Sequence, residues 1–358
     1  MKQAMIKCTA AALLSLAGAA QAGPYSSMVI FGDSLSDSGN NVLAIGSFDP
    51  AKIAEGATQV ISNDSYFGKI PYASGRYSNG PVWAENLAAR LGISAAPSLA
   101  GGSNYAFGGA QTSAPGTDGP PGVPFPFSMT TQLGMYMSDL AASGGHVDAN
   151  ALYVVAGGGN NVRAGLEAIV AGAEPTATFN STAQGYAADT VGMVAALKGA
   201  GAQHILVWNT PDFGLTPSAL SANAVNPLAS ALATGLSATM NFELSGALAS
   251  AGAGIGCGVG GVTCFDMFSF LHTSVANPAF ANTTHACGAA INACDPATAL
   301  FWDAIHPTAL GHQLLADAIG AQLGVSAVPE PSTYGLMALG LVAIGWCARR
   351  KLLRQPQA

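Results

Sequence analysis

The chain has 358 residues, half of them apolar, which is enough for one large or two ordinary domains with a sizeable core. Six of its 12 basic residues (Lys2, Lys7, Arg349, Arg350, Lys351, Arg354) and one of its 19 acidic residues (Glu330) lie in the two ends, leaving 6 basic and 18 acidic residues between them and a net charge of −12 there. A surface so acidic repels phosphate backbones and points away from nucleic acid as a partner, while saying nothing against neutral esters.

The N-terminal stretch carries Lys2 and Lys7, an apolar run from Ala10 to Ala20, and Ala20-Gln21-Ala22 as a small-x-small cleavage site. This order reads as a secretory signal peptide over residues 1–22, removed after Ala22; a buried N-terminal helix is the plainer alternative. Met28-Val29-Ile30-Phe31 then predicts a buried strand, and Gly32-Asp33-Ser34 a sharp strand-to-helix turn. Ser34 is expected to have its hydroxyl at the open edge of a sheet and its N–H in the first turn of a helix, as a nucleophile attacking a carbonyl requires. A Ser/Asp-rich helix cap without chemistry is the competing reading.

The region from there to about Pro126 is punctuated by Gly, Pro and Ser and has few regular periods. Its exception is a helix entered at Pro81, with Val82, Trp83, Leu87 and Leu91 as a core-facing stripe. Ser103 to Ala110 predicts a short strand running into Gly108-Gly109, where a backbone N–H can approach a ligand, or else an ordinary turn. Met129 to Leu140 has helical spacing. Ala151 to Ala156 reads as a buried strand ending in Gly157-Gly158-Gly159-Asn160-Asn161, with Asn160 either an amide donor level with Ser34 or a turn residue.

A helix over Ala187–Gly199, a strand over His204–Trp208, a loop from Asn209 to Gly214, a helix over Pro227–Ala251 and a strand over Val262–Phe265 follow. Continuous apolar strands alternating with helices predict a parallel sheet covered on both faces, with ligands at the carboxyl ends of its strands. Asp303 and His306 are three apart, just before a helix expected from Pro307 to Leu323; a carboxylate so placed can fix the tautomer of the imidazole and stabilise its protonated form. His146, His204, His272, His285 and His312 are assigned to surface or core.

Cys8 and Cys347 fall in the ends. The remaining four make two pairs with six residues between, and in an oxidising compartment they predict disulfides Cys257–Cys264 and Cys287–Cys294, although four cysteines allow three connectivities. A zinc site is the alternative, without its usual close spacing. At the C-terminus, Val328-Pro329-Glu330-Pro331 precedes the apolar segment Tyr334–Ala348 and the cluster Arg349-Arg350-Lys351. Short for a span of roughly 20 residues, that segment still reads as a membrane stop with transient inner-membrane anchoring, since basic residues snorkel.

Two resemblances organise these pieces. The order Pro-Glu-Pro, apolar segment, basic cluster resembles the PEP-CTERM sorting tail of Gram-negative bacteria, which implies export, processing by an exosortase-type enzyme, and delivery to the envelope or outside. Gly32-Asp33-Ser34-Leu35-Ser36-Asp37, Asn104 to Ala110, Gly158-Gly159-Asn160 and Asp303-x-x-His306 occur in the order of the GDSL lipase/esterase (SGNH hydrolase) family; Gly75 to Gly80, Pro211 to Gly214 and Trp302 to Thr308 resemble its secreted bacterial branch. The resemblance implies an α/β fold of three α/β/α layers with a mainly parallel, flavodoxin-like sheet, as one catalytic domain over residues 23–327 followed by the tail at 328–358. It implies Ser34 as nucleophile, His306 as general base and Asp303 as its orienting acid. The implied oxyanion donors are the Ser34 N–H, a glycine N–H (Gly109 in preference to Gly108) and the Asn160 amide, with no metal or cofactor. Asn161 stands where the commonest third block, Gly-x-Asn-Asp, has a carboxylate. The expected substrate is a lipid or other acyl ester, given the aromatic loops around Phe107, Phe125 and Phe127. An acetyl esterase acting on extracellular polysaccharide and a catalytically silent envelope binding protein are the rivals.

Overall fold

The computed structural model describes residues 24–252 and 254–325. The expected signal peptide, the membrane-stop segment Tyr334–Ala348 and the sorting tail lie outside the described residues. No helix among the described residues is long and apolar enough to cross a membrane.

Four strands form one parallel sheet in the order β1 (Met28–Gly32), β2 (Leu152–Ala156), β3 (His204–Trp208) and β4 (Val262–Phe265). On the free side of β1 runs an extended edge segment, residues 103–107, whose parallel pairing rests on three bonds: Ile30 N–H to Ser103 O (3.1 Å), Tyr105 N–H to Ile30 O (2.8 Å) and Phe107 N–H to Gly32 O (3.2 Å). Counted with it, the extended segments lie in the spatial order 2-1-3-4-5, the flavodoxin-like order, which places a crevice between β1 and β2 where the chain reverses direction across the sheet. The strand expected over Ser103–Ala110 is therefore shorter. It ends because Asn104 Oδ1 takes the Ala106 N–H and the chain turns away, with Ala110 N–H bonded to Phe107 O.

Side chains alternate between the two faces of the sheet, as the two-residue period of a strand demands. Val29, Phe31, Tyr153, Val155, Ile205 and Val207 bury against one helical layer, and Met28, Ile30, Leu152, Val154, Leu206 and Trp208 against the other. In chain order the helices that matter are α1 (Asn40–Phe48), α2 (Pro50–Thr58), α3 (Trp83–Leu91), α4 (Met129–Ser143), α5 (Gly159–Val170), α6 (Pro175–Gly199), α7 (Ala229–Ser250), α8 (Met267–Val275) and α9 (Ala309–Gln322). Helices α4 to α7 cover the first face, through residues such as Tyr136, Val162, Met193 and Leu236; α3 and α9 cover the second, through Trp83, Leu87, Leu315 and Ile319.

Several boundaries differ from the sequence reading for identifiable reasons. Ser34 does not enter a helix. The chain makes a single turn in which Asp33 O accepts the N–H groups of Ser36 and Asp37, and helix α1 starts only at Asn40. The Asp37 carboxylate then accepts the N–H groups of Gly39, Asn40 and Asn41, so the first free donors of the helix belong to Asp37 rather than to the serine. Helices α1 and α2 occupy part of the region read as aperiodic, α2 being started by Asp49 as cap and Pro50 at its first position. Helix α6 begins at Pro175 rather than Ala187, capped by Glu174. Helix α9 begins two residues beyond Pro307, where Thr308 caps it. The disulfides Cys257–Cys264 and Cys287–Cys294 are both formed, the first tying a glycine-rich loop to β4.

At the end of β1 the departing edge segment leaves the Gly32 N–H without a strand partner. The fully buried Gln132 of α4 replaces that partner: its Oε1 accepts the Gly32 N–H at 2.8 Å and its Nε2 donates to Gly32 O at 2.9 Å. A buried amide left unmade costs about 1–3 kcal/mol. Gln132→Leu, similar in volume but unable to bond, is expected to lower the unfolding free energy by about 2–3 kcal/mol in chemical denaturation.

Candidate active site

The crevice collects residues from the ends of three adjacent extended segments and from the loop before α9. Ser34 follows β1, Gly108 and Gly109 follow the edge segment, and Asn160 follows β2. Opposite them, the stretch from Leu300 to Thr308 folds back on itself, with Trp302 N–H bonded to His306 O (2.8 Å) and Thr308 N–H to Leu300 O (2.9 Å). Inside this tight turn Asp303 Oδ1 accepts the N–H groups of Ile305 (2.9 Å) and His306 (2.7 Å), which converts the three-residue spacing into side-chain contact.

His306 Nδ1 lies 2.7 Å from Asp303 Oδ2, and His306 Nε2 lies 2.9 Å from Ser34 Oγ. A carboxylate accepts only, so Nδ1 carries the proton and Nε2 is the acceptor for the serine hydroxyl. All three side chains are buried. Burial pushes the Asp303 carboxyl up, but the neighbouring His306, the backbone N–H of Ile305 and the Tyr72 hydroxyl outweigh it and hold the group below the ordinary carboxylate range. His312, also buried, accepts the Trp83 N–H at Nδ1 and is pushed down to about 3 by burial, so it stays neutral.

The two glycines separate cleanly. Gly108 donates its N–H to Asp37 Oδ2 (3.1 Å) and accepts from Asn41 Nδ2 (3.0 Å) at its carbonyl, and a Cβ on it would meet the Tyr77 ring at 2.1 Å. Gly109, at φ +86°, has a backbone N–H with no hydrogen-bond partner among the described residues, and the same holds for Ser34. Asn160 Nδ2 donates to Ala110 O at 2.9 Å, leaving its second hydrogen for the crevice. Asn161, in the position of the family's carboxylate, exchanges two bonds with Thr112, whose hydroxyl donates to Asp189 Oδ2 at 2.7 Å. A carboxylate from α6 thus supports this loop instead.

Sequence reasoning missed three contributors. Tyr72 donates its hydroxyl to Asp303 Oδ2, and the Tyr77 ring lies 5.3 Å from the His306 ring. Asp33, next to Ser34, accepts the Leu35 N–H and is pushed up to about 6 by burial, against that bond and the nearby His306. The first two sit on an irregular loop with no periodicity to mark them; Asp33 lies inside a motif whose serine drew the reading.

The crevice opens into a cavity of about 770 Å³ lined by Ser34, Gly109, Asn160 and His306 together with Ile45, Phe48, Phe67 and Phe125. Of the aromatics expected there, only Phe125 reaches the cavity; Phe107 is fully buried behind it and Phe127 packs edge-on against both. Arg163, one turn after Asn160 on α5, also lines it and lies over the Phe67 ring at 5.0 Å.

A family profile described as GDSL-like Lipase/Acylhydrolase matches residues 28–319, a span that holds every block of the crevice. The chain belongs to that family. Esterase EstA from Pseudomonas aeruginosa and Esterase EstA from Pseudomonas putida are each 32% identical to it over 335 residues, covering 86% of this chain and 48% of the relative. Lipase 1 from Photorhabdus luminescens is 30% identical over 217 residues, covering 61% of this chain and 27% of that protein. The chain spans about half the length of the EstA proteins it matches. A second profile, the PEP-CTERM protein-sorting motif, matches residues 327–351.

Asp33 also sets a stability trend in this GDSL chain. Its folded value near 6 exceeds the ordinary 3.8, so the folded state binds the extra proton between those values and gains stability as pH falls through about 6 towards 4. Asp33→Asn, which keeps an acceptor for Leu35, is expected to lack that gain: calorimetry between pH 7.5 and 4.5 should find the melting temperature of the native chain rising relative to the variant.

Proposed function

We propose that this protein is an exported serine ester hydrolase that works through an acyl-enzyme on Ser34. The observation that carries this reading is the unbroken chain of short contacts from Asp303 through His306 to Ser34, 2.7 Å and 2.9 Å, at the floor of an open cavity. His306 Nε2 takes the Ser34 proton as Oγ attacks the ester carbonyl carbon, and Asp303 stabilises the imidazolium that forms. The oxyanion is held by the N–H groups of Ser34 and Gly109 and by the Asn160 amide; Gly108 is not a donor to it, its N–H being committed to Asp37. Collapse breaks the bond to the alcohol, which leaves with the proton from His306. Water, deprotonated by the same nitrogen, then releases the acid and restores Ser34.

The substrate is an acyl ester, and the apolar walls contributed by Ile45, Phe48 and Phe125 favour a lipid-like acyl chain over a small acetyl group on a glycan. The names of the EstA relatives and Lipase 1 support ester hydrolysis. The sorting motif at 327–351 supports export from a Gram-negative cell, with transient inner-membrane anchoring through Tyr334–Ala348 and processing by an exosortase-type enzyme. Residues 23–327 are then the catalytic domain and residues 1–22 a removed leader.

Two variants test the mechanism. Asn160→Ala is expected to fold normally and to lose about 10²- to 10³-fold in turnover, the usual effect of one oxyanion donor. Ser34→Ala should abolish labelling by a fluorophosphonate, followed by mass spectrometry of the intact protein. Full esterase activity in Ser34→Ala would overturn the assignment. Initial rates on nitrophenyl esters of increasing chain length, compared with acetylated glycans, report the substrate class.

A further inference from the structure

The carboxylate of Asp303 is held by more than the histidine it faces. Its Oδ1 is occupied by the two backbone N–H groups of its own turn, while Oδ2 receives the His306 Nδ1–H, the Tyr72 hydroxyl at 2.7 Å and, more distantly, the Gly68 N–H at 3.3 Å. Tyr72 comes from a loop 231 residues earlier in the chain. It is buried, its ring stands edge-on to Trp302 at 6.3 Å, and its hydroxyl accepts the Gly68 N–H at 2.9 Å. Its backbone is fixed by bonds from Tyr72 N–H to Arg76 O (2.9 Å) and from Gly75 N–H to Tyr72 O (2.8 Å). With its one acceptor site used by Gly68, the hydroxyl has a single direction left for its hydrogen, towards the carboxylate. Burial and the adjacent Asp303 charge raise the phenol well above its ordinary range, so it remains a donor wherever the protein is folded.

We propose that Tyr72 is a positioning residue of the catalytic relay, its hydroxyl locking Asp303 Oδ2 in line with His306 Nδ1 and drawing off part of the carboxylate's charge. The inference rests on the Ser34–His306–Asp303 reading. Two effects follow. Without the hydroxyl, Oδ2 loses the shorter of its two supports other than the imidazole and is held less firmly in line with it, so the chemical step slows. The carboxylate also keeps more of its charge, which favours protonated imidazole in the free enzyme and moves the acid limb of the pH profile upward.

The test uses the full-length chain and nitrophenyl butyrate. Tyr72→Phe retains the ring against Trp302 and removes one oxygen; its plateau kcat/KM is expected to fall about 10-fold, almost entirely in kcat, with the acid limb about half a pH unit higher. Asp33, Tyr66, Tyr77 and the neutral His312 also face the Asp303–His306 pair, and all are common to both proteins, so the difference between the two profiles reports the Tyr72 hydroxyl. In an Asp303→Asn background the same substitution should change kcat/KM by less than about twofold, because Tyr72 acts through the carboxylate. Replacing Tyr72 with a ring-fluorinated tyrosine, a stronger donor that keeps the fold-supporting contacts, should move the acid limb the other way and serves if Tyr72→Phe fails to fold. An unmoved acid limb, or an equal loss with and without the Asp303 carboxylate, overturns the role of Tyr72 while leaving the hydrolase intact. Absence of fluorophosphonate labelling at Ser34 in the native chain overturns both.

Discussion

The structure depends on the reversal of the chain at β1. After this first strand the polypeptide moves to one side to lay down residues 103–107, then crosses back to the other for β2, β3 and β4. Helices can cover the faces of a parallel sheet but not the gap that opens where successive connections diverge, so the carboxyl ends of β1 and β2 remain accessible. Every group proposed to handle the ester enters that gap: Ser34 and Asn160 from its rims, Gly109 from the edge segment, and His306 from the loop before α9.

An opening at a sheet edge is useful only if its floor is rigid, and here the floor is polar and closed. The Asp37 carboxylate gathers the N–H groups of Gly39, Asn40, Asn41 and Gly108. Asn40 donates to the carbonyls of Asn104 and Ala106, and Asn104 donates in return to Ser36 O and Ser38 Oγ. These bonds join the Ser34 turn to the Gly108–Gly109 turn through buried groups whose separation would leave several donors unmade, each at a cost of about 1–3 kcal/mol. Gln132 performs the same service at Gly32, two residues before Ser34.

What was legible in the sequence divides along physical lines. Runs such as His204–Trp208 and Val262–Phe265 announce strands because each is a short, mostly apolar run bounded by breakers, and the structure keeps those bounds. Asp303 and His306 could be paired because their contact is local. Tyr72 could not: its partner is hundreds of residues away, and an isolated tyrosine in a Gly/Pro-rich loop carries no periodicity. The start of α6 was hidden for a different reason, since apolar spacing is weak there and the boundary is set by Glu174 and Pro175. The turn after Ser34 looked like a helix start because one of its acids, Asp37, does gather the first N–H groups of a helix, α1, but one beginning at Asn40.

The three proposed oxyanion donors sit just beyond three neighbouring segments of one sheet, Ser34 in the middle with Gly109 and Asn160 to either side. Neighbouring strands in any sheet stand about 4.8 Å apart. The spacing of these donors is therefore inherited from the repeat of the backbone ladder, whereas the walls of the cavity come from the connections between strands. Phe48, Phe67 and Phe125 belong to such connections, so the lining of the cavity and the spacing of the donors are set by different parts of the chain.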